Sequence, residues 1–372
     1  MSPRSSPSLR AWEGCAKKSI RAIARRRLFA YAKSDKDVSE PGSGTSFFFV
    51  CAISGGLSVQ TPPQTRTDDR VVRNRPRRKA GNPMKKSLIL LLSAILVFSS
   101  ASFAAAEEAP ARAILVVSFG TSYNDSRALT IDAIVSDIAA AYPDWDVRQA
   151  FTAQTIIDKL ASRDGTQIDG VDEAMQRLIT DGVREVVVQP THVMPGYEYT
   201  DVVNAVRAYA DQFDTLAIGK PLIYTEEDYE AVIAALTKEI PEVGSDDTAV
   251  VFMGHGTEHY ANATYSELEY MMHAEGYENL FVGTVEGFPG VDEAISAVTA
   301  FGAAKVVLYP LMVVAGDHAN NDMAGDEEDS WKTLFTQAGF EVECRIQGLG
   351  QNADIRAIYL DHLAATMAEA GL

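Results

Sequence analysis

Cysteine is scarce in this chain, and beyond the first hundred residues so is positive charge. Of three cysteines in 372 residues, only Cys344 lies past position 51. The main body therefore has no second thiol with which to close a disulfide, and its stability has to come from packing. Positions 107–372 hold 14 Lys and Arg against 45 Asp and Glu, a net charge of −31. A surface of that sign repels a phosphate backbone, which excludes nucleic acid as a partner. The common cofactor and nucleophile motifs are missing as well. After the first apolar strand, SFGTSYNDS offers one glycine and neither G-x-G-x-x-G nor a Walker loop, so no nucleotide is expected. No G-x-S-x-G elbow presents a nucleophilic serine, and no H-E-x-x-H or zinc ribbon supplies a local metal site.

What is present begins with a boundary. Residues 1–83 carry 17 Lys and Arg against 6 Asp and Glu, with scattered Ser, Pro and Gly and no sustained period. At Met84 the text changes to MKKSLILLLSAILVFSSASFAAA, with a Lys85-Lys86 n-region, an apolar stretch over 88–98, and Ala104-x-Ala106 before Glu107. This is the pattern of a cleavable secretory signal. Its apolar core falls short of the roughly 20 residues that a spanning helix needs; an uncleaved anchor is the alternative. The expected parts are an upstream extension over 1–83, non-native or disordered, and a signal peptide over 84–106 cleaved near Ala106. They precede a mature chain of two lobes, 107–240 and 241–372, working in the periplasm without a stable membrane span.

The mature chain repeats itself. Set against the residues 120 positions on, 170–196 gives 11 identities in 27 pairs, among them GVDEA at both starts, Pro190 with Pro310 and Gly196 with Gly316. AILVVSFGT from Ala113 likewise answers AVVFMGHGT from Ala249. Apolar runs bounded by Gly or Pro alternate with segments of helical period: 113–119 then 126–142, and 183–189 then 199–213. In the second half the same alternation runs through 249–253, 266–276, 280–285, 291–301 and 305–309. Near-continuous Val, Ile and Leu in the short runs predicts parallel strands covered on both faces, and the alternation predicts βαβ units. The expected fold is α/β: two similar doubly wound lobes of parallel sheet, with a cleft at the strand C-termini. A last helical stretch, 354–370, has no counterpart in the repeat and is free to cross back to the first lobe.

Where the copies differ, chemistry can sit. His255 in MGHGT stands where the first copy has Phe119, and His318 where it has Glu198, so the fold itself requires neither imidazole. Gly254 and Gly256 around His255 would let a ligand approach the backbone closely. Glu286, in GTVEG, ends another short apolar run. Each has an ordinary alternative: a satisfied strand-end histidine, a capping or solvated glutamate, a solvated loop. The stretch ANNDMAGDEEDSWK after His318 reads as such a loop or as a lid or rim over a site. Two imidazoles and a carboxylate from three loops suit divalent cobalt, iron, nickel or zinc. His192 in QPTHV, where the second copy has Met312, is either a core-edge histidine or a ligand to haem or a second metal. His259, His273 and His362 fall at ordinary helix or loop positions.

The segments VSFGTS, QPTHVMPGYEY, VVFMGHG, GTVEG and above all PLMVVAGDHANNDMAGDEEDSWK closely resemble the anaerobic cobalt chelatases, the sirohydrochlorin cobaltochelatases of the class II group. The resemblance covers essentially the whole mature chain. It implies a chelatase-like fold with the active-site cleft between the lobes, a homo-oligomer, and no nucleotide. It implies insertion of Co(II), with Fe(II) as a second metal, into a sirohydrochlorin-type tetrapyrrole with release of two protons. By position, His255 and His318 match the family's metal-binding histidines, Glu286 its cleft acid and Glu198 its active-site glutamate. The implied catalytic set is thus His255, Glu198 and His318, and the implied metal set His255, Glu286 and His318. Two other readings use the same cleft: a periplasmic carrier of metal, haem or tetrapyrrole, and a ferrochelatase-like activity on another porphyrin. A tetrapyrrole with eight carboxylates must still meet a protein of net −31, so local donors are needed. Arg127, Arg148 and Lys332, or helix N-termini, are the candidates.

Overall fold

The structure, a computed structural model, describes residues 112–372. The signal read at 84–106 and the extension before it lie outside the described residues. In the first lobe the elements run β1 (Arg112–Ser118), α1 (Asn124–Leu129), α2 (Ile131–Ala141), β2 (Asp146–Phe151), α3 (Gln154–Asp164), β3 (Asp169–Gly170), α4 (Val171–Thr180), β4 (Glu185–Pro190), α5 (Tyr197–Arg207) and β5 (Thr215–Ile218). The sheet order is β3-β2-β1-β4-β5, with every pair parallel. β1 is buried from its second residue onward, because RAILVVS puts apolar or small side chains on both faces and helices cover both. The chain winds outward from β1 on one side and then returns to β4 on the other. That reversal leaves a crevice at the C-terminal ends of β1 and β4.

A helix, α6 (Glu226–Glu239), leads to the second lobe: β6 (Thr248–Gly254), α7 (Ala263–Ala274), β7 (Leu280–Thr284), α8 (Val291–Phe301), β8 (Lys305–Pro310), α9 (Trp331–Gln337), β9 (Glu341–Cys344) and finally α10 (Ala353–Ala370). Its parallel sheet runs β7-β6-β8-β9. The sequence repeat superimposes on these elements, β1 answering β6, α4 answering α8 and β4 answering β8. The α/β fold of two doubly wound lobes expected from the alternation is the fold found.

Two expected helices are interrupted. The segment 126–142 breaks at Thr130, whose backbone turns to φ −122°, ψ −83° while its hydroxyl donates to the Ser126 carbonyl. Gly350 of the second half lies so near that a Cβ on it would sit 2.8 Å from the Thr130 Cβ, so the break falls where the two halves meet. The segment 199–213 is helical only to Arg207, and a short 3₁₀ turn, Ala210–Gln212, finishes it.

One core joins the lobes. It takes Ile114 and Val116 from β1, Val250 and Phe252 from β6, and packs Tyr359 and Leu363 of α10 among them. Each such side chain contributes roughly 1.5–3 kcal/mol by leaving water. Although α10 ends the second half of the chain, it packs on α2, β4, β5 and α6. The Tyr359 hydroxyl donates to the Thr191 carbonyl at 2.8 Å, and Arg356 pairs with Asp137 at 2.6 Å. Between α6 and α10, His362 Nε2 meets Asp228 Oδ1 at 2.8 Å. Among the described residues no helix is long and apolar enough to cross a membrane.

Candidate active site

The strand C-termini of both lobes open on one cavity of about 820 Å³, within the range that holds a cofactor-sized ligand. Phe119, His192 and Glu198 reach it from the first lobe, His255, Glu286 and His318 from the second.

His255 follows β6 directly. Its neighbour Gly256 has φ +86°, and a Cβ there would lie 2.5 Å from the Gly287 nitrogen and 2.9 Å from the Thr284 Cβ; only glycine lets the two loops run this close. The ring of Tyr265 fills the space above Gly254. The glycines expected to admit a ligand therefore admit protein. They press the His255 and Glu286 loops together, and Glu286 N donates to the His255 carbonyl at 2.8 Å.

The two histidines are oriented in the same sense by different partners. His255 Nδ1 stands 2.8 Å from the Gly256 carbonyl; a carbonyl only accepts, so Nδ1 holds the proton and Nε2 keeps its lone pair. His318 Nδ1 donates to Asp322 Oδ2 at 2.6 Å, across the wide turn Ala319–Met323, and its Nε2 is free in turn. The rings meet edge to face with centroids 4.7 Å apart, and Glu286 Oε2 is 3.9 Å from His255 Nδ1. One ligand atom from each of His255, Glu286 and His318 lies within 4.8 Å of the others. Two donors bound to one ion at about 2.1 Å are at most ~4 Å apart, so the three stand slightly wider than a closed ligand set. The structure thus brings the three expected metal ligands together.

Charge tunes the set. The hydrogen bond to Asp322 raises the pKa of His318; burial opposes this, and the charges of Asp322, Glu286 and Asp317 add to the rise. Glu198, in the first turn of α5, is open to the cavity, yet the surrounding walls desolvate its carboxylate and raise its pKa. His255 works against that shift, while Glu286 and Asp201 reinforce it. Glu198 is therefore within electrostatic reach of the metal set. His192 lies in the cavity wall with both ring nitrogens buried and unpartnered, and burial alone pushes its pKa down to about 4, which keeps the ring neutral.

Other expected residues lie elsewhere. Arg127, Arg148 and Lys332 do not line the cavity. They pair with Asp132 at 3.4 Å, with Asp146 and Asp181 at 2.6 and 2.7 Å, and with Asp326 at 2.7 Å. Of the polar stretch at 316–330 only Gly316, Asp317 and His318 face the cavity. Ala319 and Met323 are buried in the second lobe and Ser330 caps α9, so the stretch is a rim and not a lid. The reading of the sequence missed Asp322 as the partner of His318, although their i, i+4 spacing is a signal for such a contact. It also passed over Lys159, which lines the cavity from α3.

Residues 112–368 match the family described as cobalt chelatase (CbiK). A sirohydrochlorin cobaltochelatase of Salmonella typhimurium is 43% identical over 252 residues, which is 68% of this chain and 95% of that protein. This chain belongs to the cobalt chelatase family. A second relative, the sirohydrochlorin cobaltochelatase CbiKC of Nitratidesulfovibrio vulgaris, is 32% identical over 258 residues, covering 69% of this chain and 90% of its own. Among solved structures, SirB from Bacillus subtilis with Fe3+ superposes with a TM-score of 0.51 at 13% identity, over 70% of this chain and 97% of that one. That likeness is one of fold. As a cobalt chelatase the protein is an enzyme, and cobalt is its substrate metal.

Proposed function

We propose that this cobalt chelatase inserts Co(II) into sirohydrochlorin in the cleft between its lobes, with His255, Glu286 and His318 holding the incoming ion and Glu198 accepting a pyrrole proton. The observation that carries this reading is the convergence of three metal-capable side chains, from three strand ends, on a cavity of macrocycle scale. Insertion must strip water from the ion, present it to the ring nitrogens, and remove two protons from the pyrroles. Each imidazole, binding through its Nε2 lone pair, and the carboxylate replace water on one side of the ion. All three come from the second lobe, so the opposite side of the ion is left to the ring. Glu198 comes from the first lobe, and its raised pKa makes it a stronger base than a surface carboxylate. Glu198 takes one pyrrole proton and passes it to cavity water, and the second leaves to cavity water directly as the nitrogens bind the metal. The same ligand set accepts Fe(II). The leader at 84–106 supports a periplasmic site of action.

The test uses protein beginning at Glu107, mixed anaerobically with sirohydrochlorin and Co(II) or Fe(II), with the macrocycle's absorbance followed against a protein-free control. Conversion of many equivalents per protein supports the chelatase reading. Stoichiometric binding without turnover would make the protein a carrier instead. Export is checked separately, by sequencing the N-terminus of the protein recovered from the periplasmic fraction, where Glu107 is expected first.

A further inference from the structure

Nearly all the positive charge of the main body is already committed. Of its 14 Lys and Arg, 11 are ion-paired to carboxylates of the same chain. The three others are Lys159, Arg207 and Lys220, and Lys220 sits over the ring of Tyr224. Among the described residues that line the cavity, Lys159 is the one Lys or Arg, and it faces a lining that includes Glu198, Glu258, Glu286 and Asp317. Thr155, one turn earlier on α3, faces the cavity beside it, and Thr121 and Ser122 add hydroxyls from the loop after β1. At i and i+4, Thr155 and Lys159 share one face of the helix. The Lys159 side chain is exposed, with no described acceptor on its ammonium group.

A macrocycle edged with carboxylates meets repulsion from those four acids. The wall of α3 offers the cation for a charge-assisted hydrogen bond to such a carboxylate. We infer that Lys159 anchors a peripheral carboxylate of the tetrapyrrole and so sets which edge of the ring faces the first lobe. This rests on the chelatase reading. It makes Lys159 a specificity residue that acts on macrocycle binding, separate from the metal set across the cleft.

The experiment titrates sirohydrochlorin, without metal, into the wild-type protein and into Lys159→Arg, Lys159→Ala and Lys159→Glu, and repeats steady-state chelation with each. Lys159→Ala is expected to raise Kd and the KM for the macrocycle about fivefold, as an exposed pair allows. Lys159→Glu raises them further, and Lys159→Arg stays within twofold of wild type. The loss falls on macrocycle KM, not on the KM for Co(II), and it shrinks at 0.5 M salt, where exposed charges are screened. A Kd for Lys159→Glu equal to that of a wild type that does turn over overturns the anchor alone. A wild type that neither binds nor metallates sirohydrochlorin overturns the chelatase reading, and the anchor with it.

Discussion

The two lobes are built on one pattern and carry different chemistry. β1 and β6 occupy the same central place, yet the residue after the first is Phe119 and the residue after the second is His255. Glu198 and His318 are likewise equivalent in the repeat. The second lobe supplies all three metal-capable side chains, while the first supplies the carboxylate of raised pKa and the cavity's lysine. The repeat places related strand ends on both sides of one cleft, and under the proposed roles metal and proton are handled from opposite sides of it. The largest break in this division is to give the second lobe the first lobe's residue. His255→Phe is expected to lower kcat by more than about 100-fold, beyond the cost of losing an outer-shell partner, with the melting temperature within a few degrees of wild type. Chelation at more than a tenth of the wild-type rate would remove His255 from the metal set.

The same division predicts that Glu198→Gln separates proton transfer from metal binding. Its kcat should fall by roughly 100-fold, the lower range for a general base, while Co(II) affinity measured without macrocycle stays within a fewfold of wild type. If metal affinity fell as far as kcat, Glu198 would belong with the ligands and the contrast between the lobes would weaken.

Much of this was legible because the repeat is a physical fact of the fold. Continuous Val, Ile and Leu in β1, β4, β6 and β8 is what burial on both faces demands, and departures from the repeat at Phe119 and His255 mark the places that packing does not dictate. β2 was not legible. DVRQAF is half-buried along its first four residues, since β3 flanks only its last two, and the stretch left uncovered at the sheet's margin needs no apolar run. The glycines around His255 were read for a ligand when their space is filled by Tyr265 and the Glu286 loop, a long-range contact that no local pattern encodes. Lys159 was overlooked for a related reason. Its significance lies in the pairing of the other cations, which appears only in three dimensions.

A third prediction concerns what holds the lobes in register. Asp228 caps α6 by accepting from the backbone of Tyr224 and Thr225 at 2.9 and 2.7 Å and also meets His362 of α10. Burial pushes its pKa up, but the His362 ring and the two backbone donors outweigh burial and hold it below the ordinary value. A depressed carboxylate contributes stability that is present above its unfolded pKa and lost as pH falls through its folded one. Asp228→Ala should therefore destabilise by about 2–3 kcal/mol near neutral pH, as losing hydrogen bonds to a charged, buried group does, and by less in acid below the ordinary carboxylate range. Denaturant titrations at both pH values check this; an equal loss at both would show that the charge is not what matters.

The smallest expected effect sharpens the comparison within the second lobe, where His255 is oriented by a carbonyl and His318 by a carboxylate. A carbonyl orients without adding charge, whereas Asp322 also raises the pKa of the ring it holds. Co(II) must displace a proton from His318 whenever the ring is charged, so affinity should rise with pH up to that raised pKa and then level. Asp322→Asn removes the main cause of the rise. It should weaken Co(II) binding about tenfold on the plateau, as lost outer-shell support does, and move the inflection to lower pH. The variant's deficit then narrows as pH falls, because wild-type protein is losing its neutral imidazole first. Isothermal titration of Co(II) from pH 5.5 to 8 reads both changes, and an inflection that stays in place would mean that Asp322 positions His318 without tuning its charge.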